Sequence, residues 1–339
     1  MLKSVPTTEP PRRPCCFLMR HRIKKSSALD QRRRESKPTI SIIGAGRLGT
    51  TLGRALAAAG FRVETVVANH AVHARRSAKL IGGDTRPVAA SDLQELRSSE
   101  LILITTPDNE IARVALSLSK SSKVISGRAP SNSAIPKSRV VLHASGALTS
   151  AVLEPLKQIG WAVGSMHPLV SISDPTTDPS IFRGAFFCVE GDRRAVTQAR
   201  KLARTLGGQS FSLSVGAKPL YHAAGVLSSG HVVALFDIAI EMLKECGLSE
   251  RRARAVLVPL LQSTVTSLTS STPARALTGP FARGDLDTIK RHLEVIKSHK
   301  LGEVLAAYKL LSKRSLRLAA KSGMSDTALL RLAREIDRA

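Results

Sequence analysis

Hydrophobic residues follow two different spacings along this chain. From Thr39 to about residue 214, short runs of valine, isoleucine and leucine alternate with stretches in which apolar residues recur every three or four positions. Continuous β-branched runs are typical of buried parallel strands, and the longer spacing is typical of amphipathic helices. The alternation predicts an α/β domain. The spacing from residue 215 onward predicts helices alone.

The predicted elements alternate as in a doubly wound parallel sheet. Strands are predicted at residues 39–43, 61–68, 100–105, 139–143, 161–167, 185–190 and 209–214. Helices are predicted at residues 47–59, 72–81, 92–97, 108–118, 193–206, 221–246, 249–268, 285–296, 301–320 and 325–336. We therefore expect a basic, disordered extension at residues 1–37, an α/β domain at 38–214, and a helical domain at 215–339.

The charge balance favours anionic partners. The chain has 51 Lys and Arg against 26 Asp and Glu, a net charge of +25, and residues 1–37 alone carry +8. Such an excess attracts nucleotides as well as nucleic acids, but proteins that bind single strands stack bases on aromatic side chains, which make up only 3% of this chain. We expect no specific nucleic-acid partner. Binding through residues 12–34 is the alternative.

The cysteines match no metal-binding or redox spacing. Cys15 and Cys16 are adjacent in the basic extension, and Cys188 and Cys246 each stand alone in an apolar stretch. We therefore expect no metal site, a core position for Cys188 and Cys246, and a reducing, cytoplasmic location.

No apolar run reaches the roughly 18 residues that a membrane-spanning helix needs. The longest, residues 232–243, is interrupted by Asp237 and Glu241. We expect no membrane partner.

A glycine-rich turn joins the first strand to the first helix as Gly44-x-Gly46-x-x-Gly49. In the dinucleotide fingerprint the first glycine makes the tight turn, the second lets the backbone approach a diphosphate, and the third lets helix and strand pack closely. The helix N-terminus offers free N–H groups to phosphate. We predict a Rossmann-type cofactor site at Gly44, Ala45, Gly46, Arg47, Leu48 and Gly49; a purely structural turn is the alternative.

The end of the second strand distinguishes the two nicotinamide dinucleotides. An NAD site usually has an acidic residue there for the ribose 2′-hydroxyl, whereas this chain offers Asn69 and His70, followed by Arg75 and Arg76. Arginine would pair with a 2′-phosphate. We predict NADP rather than NAD. The alternative is that both arginines lie on an exposed helix face.

Two further loops should meet the cofactor, because ligands of such sheets lie beyond the carboxyl ends of the strands. They contain Thr105, Thr106 and Pro107 after one strand, and Ser145 and Gly146 after the next. Pro107 and Gly146 could instead simply end their strands.

Candidate catalytic groups stand at the junction of the two domains. Lys218 and His222 are four residues apart and would share a helix face, and either could supply the proton that hydride transfer requires. His167 precedes a proline, which holds it extended. We take these three as catalytic candidates, and Tyr221, Ser229 and Arg283 as substrate candidates. A solvated lysine and structural histidines are the alternative, and Asp285 should cap the helix after Arg283.

Six segments of the chain carry a resemblance to a known family. They are ISIIGAGRLGTTLGRAL, LILITTPDNEI, VLHASGAL, VGSMHPL, KPLYHAAGVLSSG and ALTGPFARGD, in order from Thr39 to His292. The chain resembles Rossmann-like NADP oxidoreductases with a C-terminal helical domain of unknown function. It is more distantly similar to the 6-phosphogluconate dehydrogenase superfamily, including pyrroline-5-carboxylate reductase, prephenate dehydrogenase and deazaflavin-dependent NADP reductases.

The resemblance implies a helical domain that closes over the nicotinamide and builds a homodimer. Within it, Lys218 matches the lysine of the β-hydroxyacid dehydrogenases, but His222 stands where they have asparagine. We expect an NADP-dependent oxidoreductase that moves hydride to or from a small, anionic carbonyl, imine or hydroxyacid substrate. The alternative is a non-catalytic NADP-binding sensor or interaction protein.

Overall fold

The computed structural model describes residues 37–96, 99–126 and 139–339. The chain divides into two compact units between Val226 and Leu227, later than the expected boundary at residue 214. The disordered extension expected before residue 37, with Cys15 and Cys16, lies outside the described residues.

Eight strands form one sheet in the first unit. They are β1 (Ile40–Ile43), β2 (Val63–Ala68), β3 (Arg86–Ala89), β4 (Leu101–Ile104), β5 (Val140–His143), β6 (Ala162–Pro168), β7 (Phe186–Gly191) and β8 (Gln209–Phe211). The strand order is β3-β2-β1-β4-β5-β6-β7-β8. Neighbouring strands run parallel except β6 and β7, which are antiparallel. The order reverses between β1 and β4, where sheets of this kind bind ligands.

Helices cover both faces of this sheet, which explains why its central strands are apolar throughout. The helices of the first unit are α1 (Arg47–Ala58), α2 (Ala71–Ile81), α3 (Asp108–Ser126), α4 (Glu154–Lys157), α5 (Arg193–Thr205) and α6 (Lys218–Leu227). Buried residues of α1, α2 and α5 form one core layer, and those of α3 and α4 form the other. Both layers position the loops that follow β1 and β4.

The second unit is helical. Its helices are α7 (Gly230–Glu245), α8 (Glu250–Ser270), α9 (Pro273–Ala276), α10 (Gly279–Arg283), α11 (Leu286–Ser298), α12 (Gly302–Lys321) and α13 (Asp326–Arg338). Buried leucine and isoleucine side chains of α11, α12 and α13 form its core. Helices α7 and α8 pack on each other and carry many exposed apolar side chains.

The structure corrects several local predictions. The helix expected over residues 221–246 is two helices separated by Ser228 and Ser229, because Ser229 has a φ of −132° and a ψ of −77°, outside the helical region. Strand β3 was not predicted, since its four residues begin Arg-Pro. Cys246 is exposed rather than in the core because it caps the C-terminus of α7.

One segment passes the length and composition test for a membrane span, contrary to the sequence expectation. Val215–Glu245 contains an 18-residue window with mean hydropathy 1.7, of which 6% is buried. The prediction from the sequence required an uninterrupted apolar run. The mean hydropathy of this segment stays high although it contains Asp237 and Glu241. Length and composition alone do not place this segment in a membrane. The cytoplasmic location and the absence of a membrane partner stay predictions.

Candidate functional site

The turn after β1 is held by contacts that only glycine allows. Gly44 has a φ of +117°, and its N–H donates to the Val67 carbonyl at 2.9 Å. The Thr105 hydroxyl donates to the Gly44 carbonyl at 2.8 Å. A Cβ on Gly49 would lie 2.0 Å from that carbonyl oxygen and 2.4 Å from Thr105 Oγ1. Gly44 and Gly49 thus lock the turn to the β4 loop.

Gly46 has a different environment from its two neighbours. It is the N-cap of α1 with extended backbone, and it provides no side chain to cap the helix. A Cβ at Gly46 would have no heavy atom of the described residues within 4 Å. Packing inside the protein therefore does not explain a glycine here. The first-turn N–H groups of α1 remain open to a ligand, and they favour an anion.

These loops border a cleft of about 270 Å³ at the carboxyl ends of β1, β2 and β4. Eight of the predicted cofactor residues line it: Gly44, Ala45, Gly46, Asn69, His70, Thr105, Thr106 and Pro107. Seven others do not: Arg47, Leu48, Gly49, Arg75, Arg76, Ser145 and Gly146. Of the loops predicted to meet at the cofactor, those after β1, β2 and β4 border this cleft, whereas the loop after β5 lies outside it, contrary to the prediction.

The cleft can be tested for its fit to a dinucleotide. Thr106 Oγ1 is buried there and has no hydrogen-bond partner among the described residues. A buried polar atom of this kind normally has a partner, which a ligand can supply. Together with the open face of Gly46, this hydroxyl fits a polar ligand that carries a diphosphate.

The β2 end of the cleft is lined by imidazoles rather than by arginine. Asn69, His70 and His73 line it, and the rings of the two histidines are 5.6 Å apart. Arg75 and Arg76 are exposed on α2 and do not line the cleft. Both therefore lie on the exposed face of α2, which is the alternative that the sequence left open.

Among the described residues, a single acidic side chain lines the cleft. Glu110 accepts hydrogen bonds from Arg113, one turn further along α3, and both side chains border the space. The ion pair leaves no unpaired carboxylate in the cleft to repel a phosphate.

The loop after β5 is fixed through Ser145. Its hydroxyl donates to Asp108 Oδ2 at 2.7 Å and accepts from the N–H groups of Ala147 and Leu148. Its own N–H donates to His143 Nδ1 at 3.2 Å. The Ser145 side chain is thus fully used in holding the loop.

Lys218 is completely buried, and its side chain does not reach the cleft. Its Nζ donates to Ser165 Oγ at 2.5 Å and to the Ser145 carbonyl at 3.3 Å, and it forms an ion pair with Glu190 at 3.5 Å. Glu190 also accepts from the N–H and the hydroxyl of Ser150. Burial lowers the pKa of Lys218, and the charge of Glu190 opposes this. Lys218 is therefore neither the solvent-exposed lysine of the alternative interpretation nor a proton donor that a substrate could reach.

His167, Tyr221 and His222 form a cluster beside Gly146. His167 Nδ1 lies 2.7 Å from the Tyr221 hydroxyl, and the rings of His167 and His222 are 5.7 Å apart. A Cβ on Gly146 would lie 2.8 Å from His167 Nε2 and 2.5 Å from His222 Cδ2. A glycine therefore lets both imidazoles approach the loop. All three side chains are only partly buried, so a small molecule can reach the cluster.

Two histidines of the sheet are held neutral. Burial, followed by the charges of His222 and Lys218, lowers the pKa of His167 to about 4. Burial, followed by the charge of Lys218, lowers the pKa of His143 to about 3. At neutral pH each ring therefore has one N–H donor and one nitrogen acceptor.

Two predicted substrate residues belong to the second unit. Ser229 is the N-cap of α7, and Arg283 lies in the last turn of α10. Asp285 caps α11 as predicted, accepting from the Thr288 N–H at 3.1 Å. The structure of each unit by itself does not bring Ser229 or Arg283 to the histidine cluster.

Sequence reasoning missed His73, Arg113 and Glu190. His73 follows His70, the N-cap of α2, by three residues, so the first turn of the helix brings the two rings close together, and this spacing is visible in the sequence. Arg113 could have been found in the same way from Glu110. Glu190 could not, because its partner Lys218 is 28 residues away and only the fold brings them together.

Two family models match separate parts of the chain. A Rossmann-like domain matches residues 23–168, and a domain of unknown function (DUF2520) matches residues 185–315. The second match begins just before β7, so it includes the last two strands of the sheet. No curated protein matches the chain.

Solved structures share the fold at low sequence identity. An NADP oxidoreductase of provisional assignment from Bacteroides fragilis is 22% identical with a TM-score of 0.63, covering 82% of this chain and 98% of that one. Protein TM1727 from Thermotoga maritima is also 22% identical, with a TM-score of 0.61 and coverage of 84% and 100%. Plasmodium falciparum pyrroline carboxylate reductase, solved with NADP bound, is 11% identical with a TM-score of 0.51 and coverage of 83% and 98%. The chain therefore shares the fold of these structures, and by its two matches it contains a Rossmann-like domain followed by a DUF2520 domain.

Proposed function

We propose that the protein is an NADP-dependent oxidoreductase that moves hydride to or from a small, anionic carbonyl, imine or hydroxyacid substrate. The observation that carries the proposal is the open, uncapped N-terminus of α1 at Gly46, inside a cleft that also holds the unpartnered Thr106 hydroxyl. Both features fit a bound dinucleotide. The fold shared with a reductase solved with NADP bound supports the same assignment.

The cofactor would be held along the cleft. The N–H groups that follow Gly46 would bind the diphosphate, because a helix N-terminus favours negative charge. Asn69, His70 and His73 would surround the ribose 2′-phosphate, since they line the β2 end and bring no carboxylate. This assignment moves 2′-phosphate recognition from Arg75 and Arg76 to the imidazoles.

The histidine cluster would serve the substrate. When bound, the nicotinamide dinucleotide supplies or accepts a hydride. The hydride would go to a substrate carbon, and His222 would give a proton to the oxygen or nitrogen bonded to that carbon, or take it in the reverse direction. His167 would donate a hydrogen bond to the same oxygen or nitrogen. Lys218 would act only as a positioning residue, because its Nζ is used by Ser165, Ser145 and Glu190.

Fluorescence titration of the full chain with NADPH and NADH tests the proposal. We expect NADPH to bind about tenfold more tightly or better, a difference of about 1.4 kcal/mol, because no free carboxylate repels the 2′-phosphate. NADPH oxidation with oxo acids, cyclic imines and deazaflavin then tests the chemistry. Absence of NADPH binding, or equal affinity for NADH, would contradict the cofactor assignment.

A non-catalytic NADP sensor is the second candidate, and the burial of Lys218 favours it. The residue expected to supply a proton has no access to the cleft. Such a protein would bind NADPH and oxidise it with none of the panel. Hydride transfer to any acceptor of the panel would exclude this candidate.

We also propose a homodimer formed through the helical unit. Val233 on α7 and Leu260 on α8 are more than 60% exposed, and Val256, Val265 and Leu268 are about half exposed. Exposed apolar side chains in this number normally mark a contact surface. Analytical ultracentrifugation without detergent should show a dimer at micromolar concentration. A monodisperse monomer, or a species that needs detergent, would contradict the proposal.

A further inference from the structure

Both tyrosines of the chain contact a histidine through the same pair of atoms. The Tyr221 hydroxyl lies 2.7 Å from His167 Nδ1, and the Tyr308 hydroxyl lies 2.8 Å from His292 Nδ1. The rings of each pair are nearly perpendicular. The first pair belongs to the cluster beside Gly146, whereas the second lies in the helical unit. The second pair can therefore serve as an internal control for the effect of a tyrosine hydroxyl on a histidine.

The direction of the first hydrogen bond follows from the groups around the hydroxyl. Cys188 lies opposite His167 in the β6–β7 register, and burial, followed by the nearby Cys188, raises the pKa of the Tyr221 hydroxyl. Sulfur is a weak acceptor and an imidazole nitrogen is a good one, so the single phenolic proton goes to His167 Nδ1. Burial raises the pKa of Cys188, so its sulfur is a neutral thiol at neutral pH and competes only weakly with the imidazole for the phenolic proton.

The tautomer of His167 follows from this direction. A neutral imidazole whose Nδ1 accepts a hydrogen bond carries its proton on Nε2. His167 Nε2 is the atom that lies against Gly146, 2.8 Å from the position of a Cβ there. The ring therefore presents an N–H donor, and not an acceptor, to the loop after β5.

We propose that Tyr221 is a positioning residue that fixes His167 in the Nε2–H tautomer, so that His167 offers a hydrogen-bond donor to the substrate oxygen or nitrogen bonded to the carbon that gains the hydride. The role of this donor rests on the proposed function; the tautomer itself does not. A fixed donor favours the charge that develops on oxygen or nitrogen as the hydride arrives. Tyr221 then acts through His167 and is not itself a substrate contact, in contrast to the expectation from the sequence.

The test is ¹⁵N NMR of the full chain labelled at histidine, without cofactor. In the unmodified protein the His167 signals, assigned with a His167→Gln variant, should show a protonated Nε2 and an unprotonated Nδ1. Tyr221→Phe keeps the ring contact with Phe211 and removes only the hydroxyl. It should at least double the share of the Nδ1–H tautomer. Tyr308→Phe, the matched control, should alter His292 and leave His167 unchanged.

Two outcomes of this test would overturn the proposal. One is a protonated Nδ1 on His167 in the unmodified protein, which needs no variant. The other is a tautomer ratio that stays constant in Tyr221→Phe.

A second measurement uses whichever hydride acceptor of the panel is active. Tyr221→Phe should lower kcat at least tenfold while the Kd for NADPH changes less than twofold. An unchanged kcat would contradict the positioning role. Loss of NADPH binding in the unmodified protein would refute the proposed function and leave the tautomer standing.

Discussion

Replacing Gly46 with valine is expected to weaken NADPH binding about 100-fold or more and to leave the protein folded. The backbone of Gly46 is extended, with φ −80° and ψ −171°, and a Cβ there meets no heavy atom of the described residues within 4 Å. The valine methyl groups would instead occupy the space in which a diphosphate approaches the first turn of α1. Losing two charge-assisted hydrogen bonds costs about 3 kcal/mol or more, which is roughly a 100-fold rise in Kd. Fluorescence titration measures the affinity, and thermal unfolding measures the fold.

Gly49→Ala is the matched control for this experiment. Its Cβ would collide with the Gly44 carbonyl at 2.0 Å, so it should destabilise the protein by about 1–3 kcal/mol. Substitution of Gly46 should thus affect ligand binding, whereas substitution of Gly49 should affect the stability of the fold. Undiminished NADPH affinity in Gly46→Val would refute the cofactor site and the oxidoreductase assignment with it.

Of the proposed single substitutions, Lys218→Met should lower the free energy of unfolding most. The substitution leaves Glu190, which is 8% exposed, buried with Ser150 as the one remaining side-chain partner in the described part of the chain. Removing one member of a buried ion pair typically costs about 3–5 kcal/mol because the other charge stays desolvated. Urea unfolding followed by Trp161 fluorescence measures the effect, since the single tryptophan lies in the same unit.

The double variant Lys218→Met with Glu190→Gln should recover most of that stability. Glutamine keeps an acceptor for the Ser150 N–H and removes the uncompensated charge. A loss below about 1 kcal/mol in Lys218→Met would contradict the buried pair, and so would a double variant no more stable than the single one.

Local sequence predicted the site wherever neighbouring residues determine it. The glycine turn, the apolar β1 strand and the Asp285 cap each depend on contacts within a few residues or on the repeat of the βα unit. The loop residues Thr105 and Thr106 followed from the rule that ligands lie beyond the strand ends. The structure places all of these as expected.

Features that depend on distant partners were not predictable. The four-residue spacing of Lys218 and His222 puts both on one face of α6, but it does not show that Ser165 and Glu190 accept from the lysine there. The break between α6 and α7 depends on the backbone at Ser229, which hydrophobic spacing does not report. A period of 3.6 residues continues across such a break, so it predicts one helix.

The antiparallel direction of β7 determines which of its residues lie at the edge of the sheet where the parallel strands end and the proposed site is located. Strands β1 to β6 end at that edge, whereas the antiparallel strand β7 begins there. Phe187 and Cys188 therefore lie opposite Pro168 and His167. A search for functional groups confined to the segments after strands would never inspect Cys188. In proteins built on this sheet, the first residues of the reversed strand belong in any such search.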